Sequence, residues 1–193
     1  AFQYALDAEG KQIGFFNEEG KEMRRPFLMA PVKYSRISSG FSGRRFHPVQ
    51  KRWKAHLGTD YAAPKGTPIV TTANGTVIAA SYNSGNGNYV KVKHNETYST
   101  QYLHMTGFAK GIRKGVYVEQ GQTIGYVGST GLATGPHVCY RFWKNGKQIN
   151  HRAEKFPSSI PMVDSLLPSY IKFIQPIRAR IDAMPVTPYV AEK

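Results

Sequence analysis

Alternating apolar and polar residues run through the middle of the chain and predict β-strands there. Tyr89 to His94 alternates apolar and polar residues, which is the pattern of a half-buried strand. Similar strand-like runs lie close by, at residues 68–72, 75–80 and 97–104. The turn-forming sequence from Asn83 to Asn88 separates two of these runs. Because the runs are short, glycine is frequent and no long helical period appears, we expect a mainly β domain with an antiparallel sheet over residues 32–151.

The two ends of the chain have a different character. Residues 1–31 carry two turn signals between short aromatic runs, which predicts a hairpin arm or the remnant of a preceding domain. Residues 152–193 carry apolar residues near helical spacing and predict a partly helical extension, interrupted or kinked at Pro168 and Pro176. We expect its apolar stripe to pack on protein, because the prolines and tyrosines spoil the pattern of a basic membrane-surface helix.

Charge narrows the range of partners. Lys and Arg total 26 and Asp and Glu total 12, so the formal net charge is +14. That excess favours polyanionic partners such as nucleic acid, anionic lipid headgroups or an acidic cell wall, and it is equally typical of a solvated basic surface. No nucleic-acid recognition motif is present, and no apolar run is long enough to span a membrane. We therefore expect neither a specific nucleic-acid partner nor a membrane span.

Two pairs of residues have the spacing of metal ligands. His56 and Asp60 are four apart around Gly58, which favours a turn or strand edge that can bring an imidazole and a carboxylate onto one ion. His137 and Cys139 are two apart, so on a strand both side chains point to the same face. A catalytic zinc takes three protein ligands and a water, and we predict His56, Asp60 and Cys139 as the three.

The remaining histidine of interest, His104, follows a strand signal. We expect His104 and His137 to contact the metal-bound water and the substrate, as general base and as stabiliser of the tetrahedral oxyanion. Each piece alone is weak, because a His-x-x-x-Asp spacing is common by chance. Cys139 is the only cysteine, which excludes an internal disulfide, and a lone cysteine is more often a small buried apolar residue.

Together these segments resemble the lysostaphin/LytM-type family of zinc metallopeptidases, which cut peptides in bacterial peptidoglycan. The resemblance runs from about residue 36 to residue 151 and covers most of the chain. The matching motifs are Arg45-x-His47-Pro48, His56-x-Gly58-x-Asp60-Tyr61, Pro64-x-Gly66-Thr67-Pro68-Ile69, Gly75-x-Val77, Gly121-x-x-Ile124-Gly125 and Gly128-Ser129-Thr130-Gly131-x-x-Thr134-Gly135-Pro136-His137. The resemblance implies a LytM-type antiparallel sheet, a zinc endopeptidase acting on peptide cross-links, and a periplasmic or secreted location in a bacterial envelope. An envelope protein partner is a further expectation.

Residue by residue, the resemblance implies His56 and Asp60 as zinc ligands and His104 and His137 as the catalytic histidines. The third ligand of the family is the second histidine of a His-x-His pair, and Cys139 occupies that position. A thiolate adds a negative charge that a neutral imidazole lacks, so the zinc should lower the pKa of its water less and polarise a carbonyl less. Three outcomes stay open: an active enzyme, a slow one, and an inactive relative that binds wall peptide or activates a partner hydrolase. We favour a metal-binding site, because four of the five functional side chains are present.

The sequence offers few further assignments. We expect Tyr102 and Arg141 to line the groove. His47 and His94 are expected to be structural or cleft-wall residues, and His151 receives no role.

Overall fold

The computed structural model describes residues 2–5, 12–21, 23, 25–47, 51–154, 156, 162 and 164–184. Of residues 2–5, 12–15 and 47 it describes the backbone alone. By contacts the chain divides into two units, Phe27–Phe156 and a second unit formed by Ala1–Pro26 with Pro157–Lys193. The boundaries predicted after residues 31 and 151 stay predictions.

Strands make up most of the regular structure, as the alternation predicts. In chain order the described strands are β1 (Phe2–Ala5), β2 (Gln12–Phe16), β3 (Arg36–Ser39), β4 (Ser42–His47), β5 (Arg52–His56), β6 (Thr59–Ala62), β7 (Pro68–Val70), β8 (Gly75–Asn83), β9 (Gly87–Lys93), β10 (Tyr98–Phe108), β11 (Tyr117–Val118), β12 (Thr123–Val127), β13 (His137–Lys144) and β14 (Lys147–Ile149). One helix, α1 (Leu167–Asp182), is described. The prediction of a mainly β fold with a helical C-terminal region is confirmed.

The larger unit is one antiparallel sheet with a separate hairpin. Its main path runs β11-β8-β9-β10-β13-β6-β3, with β12 and β7 continuing from β10 and β14 pairing with β13. Strands β4 and β5 form the separate two-stranded sheet. This order places β10, β13 and β6 side by side, so that residues far apart in sequence meet at the middle of the sheet.

The core lies under one face of this sheet. In β9, Val90 and Val92 are fully buried, whereas Lys91 and Lys93 alternate with them and are more exposed, as the sequence pattern predicts. Burying each such valine contributes about 1.5–3 kcal/mol of unfolding free energy. Tyr102 also belongs to this core: it is fully buried, and its hydroxyl accepts a hydrogen bond of 2.9 Å from the backbone N–H of Thr72. The expectation that Tyr102 lines the groove is therefore wrong.

The smaller unit contains the β1–β2 hairpin and α1. Tyr170 and Ile174 of the helix are buried with Phe16, and the Tyr170 hydroxyl donates to the carbonyl of Asn17 at 2.7 Å. The helix is continuous through Pro176, so the predicted interruption is wrong, while a kink there stays a prediction.

The other proline of α1, Pro168, lies in the first turn of the helix. A backbone N–H in the first turn makes no hydrogen bond within the helix, so a proline there removes none. Among the described residues no helix is both long and apolar enough to cross a membrane.

Candidate metal centre and catalytic cleft

The candidate ligands are brought together by the pairing of β6 with β13. Cys139 lies directly opposite Asp60 in this pair, and His56 ends β5 just before the turn into β6. Gly58 forms that turn against the sheet: a Cβ on Gly58 would lie 3.0 Å from Cys139 Sγ and 3.0 Å from the carbonyl oxygen of Tyr140. The absence of a side chain at Gly58 therefore permits the close approach of the His56–Asp60 segment to Cys139.

Three ligand atoms converge at this point. His56 Nε2 lies 3.0 Å from Asp60 Oδ1 and 3.5 Å from Cys139 Sγ, and the three atoms all lie within 4.8 Å of one another. All three residues are buried. No other group of three histidine, cysteine or acidic residues arranged in this way occurs in the part of the chain that the structure describes.

Each of the three histidines at the cleft is held by a backbone carbonyl. His56 Nδ1 lies 2.9 Å from the oxygen of Gly40, His104 Nδ1 lies 2.8 Å from that of Thr130, and His137 Nδ1 lies 2.8 Å from that of Gly135. A carbonyl oxygen only accepts hydrogen bonds, so each Nδ1 carries the hydrogen and each neutral ring keeps its lone pair on Nε2. This arrangement, in which the second nitrogen is fixed by an outer partner, is the usual one for metal-binding histidines.

The donor set fits a zinc ion. A lone pair on His56 Nε2 that faces a carboxylate oxygen at 3.0 Å requires a positive charge, either a proton or a metal ion, between the two atoms. The nitrogen, oxygen and sulfur ligands of a tetrahedral zinc lie about 3.3 Å apart for an N/O pair and about 3.6 Å apart for an N/S pair, given the usual bond lengths. The separations of 3.0 and 3.5 Å come close to these values.

The two ligands that bind a metal as anions, Asp60 and Cys139, have pKa values shifted in opposite directions. Burial acts to raise the pKa of Asp60, but the hydrogen bond from His56 and the charges of His56 and His137 outweigh it and hold the pKa below its usual value. Burial, and after it the carboxylate of Asp60, raises the pKa of the Cys139 thiol far above its ordinary range. Without a metal the thiol is therefore protonated at neutral pH, and metal binding must release that proton.

His104 and His137 lie next to each other beside the ligands. Their ring centroids are 4.8 Å apart, and His137 Nε2 lies 3.9 Å from Asp60 Oδ1. His104 has a backbone φ of 64°, in the left-handed region that non-glycine residues rarely adopt, and its N–H donates to the carbonyl of Asn86 at 2.9 Å. The pairing of β10 with β9 shifts register between Tyr102 and Met105, so the strand is irregular where His104 turns into the cleft.

The five predicted site residues thus line one cleft, together with residues that sequence reasoning did not assign. Arg141 lines it as expected, and Arg45 and Lys54 line it as well. The carbonyl acceptors at Gly40, Thr130 and Gly135 give no side-chain signal in the sequence, and pairing of the β4–β5 hairpin was needed to place Arg45 beside Lys54.

The remaining histidines lie elsewhere. His94 is structural: its Nδ1 donates to the carbonyl of Asn74 at 2.7 Å, its Nε2 lies 2.8 Å from Thr100 Oγ1, and burial lowers its pKa to about 4. His151 is buried against Tyr61, with Nε2 2.9 Å from the hydroxyl oxygen. The side chain of His47 lies outside the described part of the chain, so its expected role stays a prediction.

Comparison with known proteins agrees with the resemblance found in the sequence. The model of Peptidase family M23 matches residues 54–151. The peptidoglycan DD-endopeptidase ShyC of Vibrio cholerae is 46% identical over 145 residues, which are 75% of this chain and 33% of that protein. The crystal structure of a zinc containing peptidase from Vibrio cholerae matches with a TM-score of 0.64 and 34% identity over 76% of this chain and 49% of the other.

A more distant structure shares the fold. The catalytic domain of lysostaphin from Staphylococcus simulans matches with a TM-score of 0.52 and 23% identity, over 72% of this chain and 92% of the other. The resemblance to the lysostaphin/LytM-type family is confirmed. The chain spans about a third of the length of the curated relatives that it matches.

Proposed function

This chain belongs to peptidase family M23, and from that premise we propose that it is a zinc-dependent endopeptidase that hydrolyses peptide cross-links of bacterial peptidoglycan. The observation that carries the proposal is the convergence of His56, Asp60 and Cys139 on one point, with His104 and His137 beside it. A relative named as a peptidoglycan DD-endopeptidase supports the choice of substrate.

In this proposal His56, Asp60 and Cys139 hold the zinc ion. A zinc ion bound there would polarise the substrate carbonyl and lower the pKa of a bound water. The protein's own contribution is to fix the three donors: Gly40 orients the His56 ring, and strand pairing sets Asp60 opposite Cys139. The donors are thus in place before the ion binds, which reduces the cost of ordering them.

The two other histidines handle the proton and the developing charge. Burial lowers the pKa of His104 to about 4, so in the metal-free protein its imidazole is neutral at pH 7 and its Nε2 is free to accept a proton from water. His137, whose Nδ1–H donates to the Gly135 carbonyl, stabilises the oxyanion of the tetrahedral intermediate as an imidazolium, the form that carries a second hydrogen on Nε2 to donate. Water is restricted in the cleft because the ligands are buried, which strengthens both interactions.

We place the protein in the bacterial envelope, periplasmic or secreted, because its proposed substrate lies there. The net charge of +14 suits anionic wall material. An envelope protein partner remains part of this proposal.

One observation favours a second candidate function, a relative that binds wall peptide or activates a partner hydrolase without cutting. The thiol of Cys139 is buried and its pKa is raised, so ligation costs a proton that a neutral histidine would not have to release. Zinc content and hydrolysis separate the two candidates.

The experiment measures bound zinc by elemental analysis and soluble fragments released from purified peptidoglycan. We expect about one zinc per chain and fragment release, and we expect Cys139→Ala to lose both. Arg52→Gln, an exposed change on β5, serves as the matched control and should retain both. Wild-type protein that holds no zinc and releases no fragments would overturn the enzyme proposal in favour of the binding one, and unchanged zinc in Cys139→Ala would remove Cys139 from the ligand set.

A further inference from the structure

In the described part of the chain, three cationic side chains line the cleft without belonging to the ligands or the catalytic histidines: Arg45, Lys54 and Arg141. Arg141 lies two residues beyond Cys139 on β13, so its side chain leaves the same face of the strand. Arg45 and Lys54 are directly opposite each other in the β4–β5 hairpin. The cleft therefore has a basic wall, contributed by two separate sheets.

Without a ligand, this basic wall lowers the stability of the folded protein. Like charges directly opposite each other on neighbouring strands destabilise the pair, and Arg45 and Lys54 are such a pair. The Nε atoms of Arg45 and Arg141 are buried and have no hydrogen-bond acceptor among the described residues. A buried donor without an acceptor also costs stability. Features that cost stability without a structural gain are expected at functional sites.

The cleft has fewer acidic side chains than cationic ones. Asp60 is the one acidic residue among those that line the cleft in the described part of the chain. Its Oδ1 faces His56 at 3.0 Å, and its Oδ2 lies 3.6 Å from Arg45 Nη2, which is too far for a strong hydrogen bond. Arg141 also donates to the Cys139 sulfur, where its charge and hydrogen bond act to lower the pKa of the thiol. A guanidinium group has five N–H donors, so both arginines keep donors beyond these contacts for an anionic ligand.

We propose that Arg45, Lys54 and Arg141 form a subsite for a carboxylate of the substrate, on the amine side of the bond that is cut. A guanidinium group presents paired N–H donors that match the two oxygens of a carboxylate. This inference rests on the proposed peptidase function, and it adds a requirement on the substrate that the function alone does not impose.

The structure of a peptide bond indicates on which side of the scissile bond the bound carboxylate lies. On the carbonyl side of the bond, the α-carboxyl carbon is the reacting carbonyl itself and bears no free carboxylate. On the amine side, the carbon attached to the scissile nitrogen bears a carboxylate whenever that residue's α-carboxyl is not amidated. A main-chain carboxylate this close to the reacting centre therefore belongs to the amine side. The enzyme should select peptides that end there over peptides that continue or are amidated.

The test uses a synthetic N-acetylated peptide ending in D-alanyl-D-alanine and the same peptide as its C-terminal carboxamide. Calorimetry measures binding of each to the full chain loaded with zinc, and product release is followed separately. We expect the acid to bind about ten- to a hundredfold more tightly than the carboxamide, the range for hydrogen bonds to a charged group. Arg45→Gln and Arg141→Gln should each remove about tenfold of this preference and change carboxamide binding little.

Two controls keep the outcome decisive. Arg52→Gln, on the same hairpin as Arg45, should leave the preference unchanged, and Arg45→Lys should retain part of it because the charge remains while the paired donors are lost. Circular dichroism and zinc content show whether each variant is folded. If a glutamine variant is misfolded, the lysine variant at the same position is used in its place. Equal binding of acid and carboxamide by wild type, or full preference in both glutamine variants, overturns the proposal; the second result would place the carboxylate on the metal.

Failure of this inference is distinguishable from failure of the proposed function. If the acid is preferred but neither peptide is cut, and peptidoglycan is also left intact, the subsite stands and the catalytic proposal falls. If peptidoglycan is cut while the protein binds both peptides alike, the peptidase proposal stands and the subsite falls.

Discussion

Gly58 is the position where a single added methyl group tests the geometry of the metal centre. The change Gly58→Ala places a Cβ 3.0 Å from Cys139 Sγ, 3.0 Å from the carbonyl oxygen of Tyr140 and 3.1 Å from Arg141 Cγ. These distances are shorter than an ordinary carbon contact of about 3.5–4.0 Å. The arginine side chain can move, but the Tyr140 carbonyl belongs to the backbone of β13 in the middle of the sheet. The turn must therefore shift away from Cys139.

The magnitude follows from the cost of overpacking. Forcing one extra methyl group into a packed site typically costs about 1–3 kcal/mol. If that cost is relieved by moving His56 and Asp60 away from Cys139, it appears as weaker zinc binding, by about 5- to 150-fold, since 1.4 kcal/mol corresponds to a factor of ten. If it is not relieved, it appears as lower stability, with a fall in melting temperature of about 2–4 °C for each kcal/mol.

Chelator competition and thermal unfolding, with and without zinc, measure the two effects. Gly43→Ala is the matched control, because a Cβ at Gly43 meets no atom within 4 Å and Gly43 also lacks a positive φ. The control should bind zinc as wild type does. If Gly58→Ala binds zinc and melts as wild type does, then the turn does not approach β13 as closely as described, and the convergence of the three ligands on one ion is refuted with it.

Three further predictions concern charge and protonation at and around the site. Cys139→His should retain zinc and keep or raise the rate of peptidoglycan hydrolysis, because a neutral imidazole removes the charge of the thiolate; a zinc-loaded but inactive variant would contradict this reasoning. His104→Ala and His137→Ala should each retain about one zinc and lower kcat by about 10²–10⁴, as expected for loss of a proton-transferring group, and zinc loss in either would make that histidine a ligand instead. Burial lowers the pKa of His94, His104 and His151 from 6.5 to about 4, so between these values the unfolded chain binds more protons than the folded one. The free energy of unfolding of chelator-treated protein should therefore fall as the pH drops from about 6.5 towards 4, by up to about 1.4 kcal/mol per pH unit for each histidine, and urea unfolding at pH 7 and pH 5 that gives equal values would count against it.

Local patterns were sufficient to predict the strands and part of the site. The alternation in β9 predicts which of its residues are buried, since a strand has a period of two. The same rule puts His137 and Cys139 on one face of β13, where both line the cleft. The role of Cys139 as a ligand remains a prediction.

The same rule fails at Tyr102 and His104, and the reason is local. A regular strand would send both side chains to one face. The irregular pairing with β9 and the positive φ of His104 break the period of two, and Tyr102 packs into the core while His104 lines the cleft. A β-bulge at a non-glycine residue has no clear sequence signal, because it is stabilised by contacts such as the one with the Asn86 carbonyl.

The basic wall shows a second limit of sequence reasoning. The excess of Lys and Arg is visible in the composition, but its assignment to a cleft depends on which strands pair. Arg45 and Lys54 are not adjacent in the sequence, and only their register in the β4–β5 hairpin makes them neighbours. Long-range pairing of this kind depends on the whole fold and cannot be obtained from a window of a few residues.

The carbonyl oxygens that hold the three imidazoles have a consequence for how this site tolerates genetic change. At Gly40, Thr130 and Gly135 the hydrogen-bonding group belongs to the main chain, and it is present whichever amino acid is encoded. The orientation of each imidazole ring is therefore set by the path of the backbone. It does not depend on supporting side chains, which single substitutions could remove. In a deep mutational scan, Gly40 and Gly135, where an added Cβ would meet no atom within 4 Å, should tolerate residues that preserve the local path. Insertions, deletions or prolines that redirect the chain should be the changes that release the histidines.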